Sequence, residues 1–136
     1  MNYKLLLVAP AILLLTNCKT KAQNETKNSD GIVTIELNKK TAIPGSKIAL
    51  EFNQVIEDSR CPVDVTCVWE GIAIVNLKAN NGSETKNIQL ATKDFEPKNT
   101  KKSTDFDGYK ISLIDVKPYP GGKQEPKSIT LKYEKE

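Results

Sequence analysis

The sequence predicts an all-β protein: a single antiparallel β-sandwich of six or seven strands and immunoglobulin-like size, with a small β-barrel as the alternative closure. Three observations point there. From residue 31 onward Val, Ile and Thr number 26 against 11 for Ala and Leu together, a bias toward pleated, half-buried strands. Apolar residues alternate with polar ones repeatedly, and no window sustains a helical period. Turn-forming residues separate the alternating runs at short intervals.

In chain order, the first element is a processing signal and not a strand. Residues 1–17 hold a basic Lys4, an eleven-residue apolar run at 5–15 (LLLVAPAILLL) interrupted by Pro10, and then Thr16 and Asn17. A membrane span needs about 20 apolar residues, so this run is a leader. The ending Leu15-Thr16-Asn17-Cys18 resembles the lipobox of bacterial lipoproteins, with Asn17 where Gly, Ala or Ser is usual. That resemblance implies cleavage before Cys18 and lipidation of its sulfur and amino group. Several acyl chains, at about 0.8 kcal/mol per buried methylene, hold a protein on a membrane. Lys19 rather than Asp follows Cys18, which favours outer-membrane residence by the same resemblance; the leaflet is left open. Residues 18–30 complete the lipidated cysteine with a polar stretch (KTKAQNETKNSD) that has no apolar period and is expected to be a disordered tether.

Residues 31–136 form the predicted domain. Val33, Ile35 and Leu37 alternate, as do Ile48, Leu50 and Phe52, then Ile88 and Leu90, and finally Ile129, Leu131 and Tyr133. Residues 67–77 (CVWEGIAIVNL) and 109–116 (YKISLIDV) are partly apolar on both parities and are expected to be central strands. Turns are expected at Pro44-Gly45, Asn80-Asn81-Gly82, Asp107-Gly108 and Pro120-Gly121-Gly122, with one longer loop over 92–108.

The chain has three cysteines and no histidine. With Cys18 taken by lipid, Cys61 and Cys67 are left as a pair, and the leader delivers them to an oxidising compartment, so a disulfide is expected. The spacing is not Cys-x-x-Cys and no helix precedes it, which disfavours a redox-active pair, and two thiolates without histidine make a poor metal site. No cofactor is expected.

Around these cysteines, residues 58–73 (DSRCPVDVTCVWEGIA) resemble an uncharacterised family of short bacterial lipoproteins and secreted proteins carrying a D-S-R-C-P-x-x-V-x-C-x-W-x-G-x-A motif. The resemblance covers sixteen residues and implies an envelope location, a compact β-rich fold and structural roles for Cys61, Cys67, Trp69 and Gly71, with no activity attached. On a continuous strand Cys67, Trp69, Gly71, Ala73, Val75 and Leu77 share one face, which predicts Trp69 as a core anchor beside the disulfide; the alternative is an exposed binding aromatic.

Glu57, Asp58, Asp64 and Glu70 surround Arg60, the strongest local charge imbalance in the domain. Asp58, Arg60, Asp64 and Glu70 form the candidate partner surface, for a basic partner or a loosely held Ca²⁺; the alternative is that Arg60 pairs with Asp58 or Glu70 and the rest are solvated. Asp105-Phe106-Asp107-Gly108 resembles half of a calcium loop without its further ligands and is expected to be a turn. Lys93, Lys98, Lys101 and Lys102 make a basic loop largely offset by nearby acids.

Twenty basic against 17 acidic residues make no electrostatic case for nucleic acid. Without histidine no His-based triad or general base exists, and no Gly-rich phosphate loop is present. Three functions remain in order of preference: a non-catalytic binding or accessory module that meets an envelope protein or glycan; an inhibitor or immunity-type lipoprotein acting through the Cys61 to Cys67 loop; and a carboxylate-based glycosidase, which a domain this small has little surface to build.

Overall fold

A computed structural model of the protein describes residues 30–136. The leader, Cys18 and the tether up to residue 29 lie outside the described residues. The domain is an antiparallel β-sandwich of two four-stranded sheets that do not close into a barrel. In chain order the strands are β1 (Asp30–Glu36), β2 (Lys40–Ala42), β3 (Ala49–Asp58), β4 (Ala73–Asn80), β5 (Thr85–Ala91), β6 (Ser103–Phe106), β7 (Tyr109–Lys117) and β8 (Ser128–Lys135). One sheet has the order β1-β8-β7-β6 and the other β2-β3-β4-β5. The chain thus crosses between sheets twice, each time from edge strand to edge strand, from β1 to β2 and from β5 to β6.

Eight strands replace the expected six or seven. Strand β2 spans only Lys-Thr-Ala and offers too few residues for alternation to show. Strand β6 lies inside the segment expected to be a long loop, preceded by a short 3-10 turn at Glu96–Lys98. The β6–β7 hairpin turns through Asp107 and Gly108, both with positive φ (49° and 76°), the backbone that two-residue hairpins of this hand require. The partial calcium-loop motif at Asp105 to Gly108 is this hairpin.

Alternation places the core as expected. Ile35 from β1, Leu50 and Phe52 from β3, Val75 and Leu77 from β4, Leu90 from β5, Ile111 and Leu113 from β7, and Ile129 and Leu131 from β8 meet between the sheets. Each such side chain stabilises the fold by roughly 1.5–3 kcal/mol on burial. A bulge between Leu113 and Asp115 in β7 changes the parity, so that Val116 points inward and Ile114 faces solvent. That bulge explains why residues 109–116 look apolar on both parities.

The expected strand over 67–77 is corrected at its first half. Pairing of β3 with β4 stops at Asp58 and Ala73, and residues 59–72 leave the sheet as a loop. Ile72 and Ile74 cover Ala91 in a small second cluster at the loop's base. This end of the sandwich carries the ends of β3 and β7. Asp30 lies at the other end, paired with Glu134, while Tyr109 pairs with Lys135.

Candidate functional site

The loop at 59–72 is held at its base by one side chain. Arg60 is 8% exposed, although arginine is almost never buried without partners. Its Nε and Nη2 donate to Asp58 Oδ1 and Oδ2 at 2.8 and 2.7 Å, a planar two-point pair. Nη1 donates to the Val116 carbonyl at 2.6 Å, and Nη2 also approaches the Pro118 carbonyl at 3.2 Å. The guanidinium carbon stacks 4.1 Å from the centre of the Tyr119 ring. Burial alone lowers the Arg60 pKa, but the hydrogen bond and charge of Asp58, helped by Tyr119, outweigh it and raise the pKa above its ordinary value. The cation therefore persists at any working pH.

A second contact fixes how the loop returns. A Cβ built on Gly71 would lie 1.7 Å from the Ser59 carbonyl oxygen and 2.7 Å from Arg60 Cα, so the backbone of the return strand runs directly against the backbone of the outgoing one. The Ser59 backbone N–H and hydroxyl both donate to the Ile72 carbonyl, at 2.9 and 3.1 Å. We expect Gly71→Ala to lower the unfolding free energy by about 2–3 kcal/mol, because main chain rather than a mobile side chain must give way. Urea denaturation measures it; a loss below about 0.5 kcal/mol would show that the two backbones part freely.

Cys61 and Cys67 are joined, with Cα atoms 6.0 Å apart. The disulfide closes a seven-residue ring and, on the loop-entropy model, contributes about 2 kcal/mol. The Val63 N–H donates to the Pro120 carbonyl at 3.1 Å, tying the ring to the segment after β7. A ring this short has no interior of its own. Val63 and Val65 are accordingly 54% and 55% exposed, Val68 95% and Trp69 77%.

Trp69 thus corrects the expectation of a core anchor. The prediction assumed a strand running from Cys67 into β4, whereas the sheet begins only at Ala73.

No family model, curated protein or solved structure matches the chain.

The candidate partner surface is divided by this geometry. Arg60 and Asp58 are committed to each other and to the β7 end, so they support the loop from below. Asp64 and Glu70 stay exposed, with Glu70 Oε2 3.6 Å from Lys93 Nζ. Glu57 pairs with Lys98, which reaches across from the 3-10 turn. Among the described residues no group of three or more Cys, Asp and Glu is placed to hold a metal ion. Of the exposed apolar residues here, Val63 and Val65 belong to the loop through which the inhibitor reading acts, whereas Val68 and Trp69 were outside the expected partner surface. The signal for them was a short closed ring followed by two adjacent bulky apolar residues, Val68 and Trp69. A shallow groove of about 170 Å³ separates Trp69 from Phe95, with Lys93 and Lys98 along its wall. Such a face offers apolar contact, an aromatic plane and fixed charges at its edge, and these are the parts of a recognition surface.

Proposed function

We propose that the protein is a lipid-anchored, non-catalytic binding module of the bacterial cell envelope that engages a partner protein through the disulfide loop. The observation that carries this reading is the exposed set Val63, Val65, Val68 and Trp69 on a loop braced by Arg60, Gly71 and the Cys61–Cys67 bond. Exposed tryptophan is the residue most enriched among binding hot spots, and a rigid loop has little conformational entropy left to lose on docking. The resemblance of residues 58–73 to envelope lipoproteins and the leader ending at Cys18 support the location.

The inhibitor reading is a narrower form of the same proposal. It is favoured by the loop tip, where Val63, Asp64 and Val65 all face solvent on a disulfide-closed ring, a shape suited to entering a cleft. A photo-crosslinking amino acid placed at Val68 in native cells should give one discrete protein adduct. The same probe at Lys47, on the turn before β3, should give none. A smear of adducts at both positions, or adducts only with glycan, would overturn the protein-partner reading.

For the anchor, Cys18→Ser should move the protein from the membrane fraction to the soluble fraction. Unchanged partitioning would refute lipidation at that residue.

A further inference from the structure

A second groove, of about 460 Å³, is lined by the segment that follows β7 and does not include Trp69 in its lining. Its exposed apolar lining is Val55 on β3 and the Pro118 ring, both half-buried, above the core residue Val116 of β7. The wall is a turn from Tyr119 to Gly122, closed by the Gly122 N–H donating to the Tyr119 carbonyl at 2.9 Å. Lys117, Lys123 and Lys127 rim the opening. All three are exposed. Among the described residues the only carboxylate lining the groove is Asp58, and both of its oxygens are taken by Arg60. Three exposed lysines therefore line a groove with no available acid among those residues.

We infer that this groove is a binding site for a small amphipathic anion, with its apolar body on Val55 and Pro118 and its anionic head among Lys117, Lys123 and Lys127. Size and charge both carry the inference. Pockets for small molecules span roughly 300–1,000 Å³ and are mainly apolar with a few polar groups that orient the ligand. A groove of this volume suits a small ligand such as a medium-chain acyl or aryl carboxylate. Lysine heads at the rim attract the anion without a fixed geometry, which suits a class of ligands more than one compound. The groove shares the segment at 119–121 with the brace of the loop at 59–72, but its lysines are not among the loop's exposed apolar residues, so substituting Lys117, Lys123 and Lys127 tests the groove while Val63, Val65, Val68 and Trp69 stay in place.

The test uses residues 19–136, which contain the whole sandwich core, with dispersed amide NMR signals as the check of folding. Octanoate is the probe and 1-octanol its neutral counterpart. Octanoate should shift amides at 55, 116–117, 119 and 121–124 saturably, with a Kd on the order of 1 mM for a ligand of this size. Octanol should bind at least about tenfold more weakly. The triple variant Lys117→Gln, Lys123→Gln, Lys127→Gln should weaken octanoate about tenfold and leave octanol unchanged. Shifts that never saturate, equal binding of octanol, or shifts centred on 63–69 would overturn the assignment. So would binding to phosphatidylglycerol vesicles without saturable binding of octanoate, which would make the lysines a membrane contact.

Discussion

Arg60→Ala should lower the unfolding free energy of the domain by about 3 kcal/mol, a large part of the roughly 5–15 kcal/mol that holds a domain of this kind together. The deletion leaves the buried Val116 carbonyl without its 2.6 Å donor and strips Asp58 of both hydrogen bonds while that carboxylate is only partly exposed. It also removes the cation from the Tyr119 ring. Lysine should not rescue it, because an ammonium cannot span the two carboxylate oxygens and two backbone carbonyls in one plane. Asp58→Ala should be nearly as costly, since it strands a charge that is itself buried, and the double variant should be less destabilised than the sum of the single ones. Urea unfolding of the four proteins gives the cycle. A single-variant loss below 1 kcal/mol would mean that Arg60 is not the brace of the loop.

Trp69→Ala should do the opposite: leave stability within about 0.5 kcal/mol and weaken partner binding at least 30-fold, about 2 kcal/mol. The stability half of that expectation discriminates between the two placements of the residue. A core tryptophan cut to alanine costs about 3–5 kcal/mol, whereas one that is 77% exposed has little packing to lose. Thermal unfolding gives one readout, and loss of the Val68 crosslink in cells gives the other. Opening the ring with Cys61→Ser and Cys67→Ser together should weaken capture as well, with a stability loss of about 2 kcal/mol. A Trp69→Ala protein that unfolds easily yet still captures its partner would reverse the account of this face.

The sandwich was legible wherever a strand has one wet and one dry side. Ile48, Leu50 and Phe52 declare β3, and Ile129, Leu131 and Tyr133 declare β8, because a period of two is hard to produce otherwise. Strand β2 left no trace, since Lys40–Ala42 is too short to alternate. The candidate site was only partly legible. Pairing of Cys61 with Cys67 follows from counting cysteines, but the point where β3 and β4 part depends on Gly71 pressing against Ser59, a contact between backbones that no side-chain pattern announces. Extending the strand back through Cys67 put Trp69 in the core, and the parity argument was sound only from Ala73 onward. The charge cluster at Asp58 and Arg60 was visible as residues, while its role depended on a carbonyl at Val116, 56 residues away.

On the proposed anchor at Cys18, the two ends of the sandwich would lie at different distances from the membrane. Asp30 enters at the end where Tyr109 begins β7, and Arg60 grips that strand's other end, so the nine residues of β7 separate the point of attachment from the loop. At about 3.3 Å per residue that is roughly 30 Å of stiff sheet. If Cys18 carries the proposed lipid, the eleven residues between it and β1 reach at most about 40 Å, and the loop would stand up to about 7 nm from the lipid. A molecule anchored in that way would meet partners standing a domain's height above the membrane head on, and those flush with the same leaflet only by folding over.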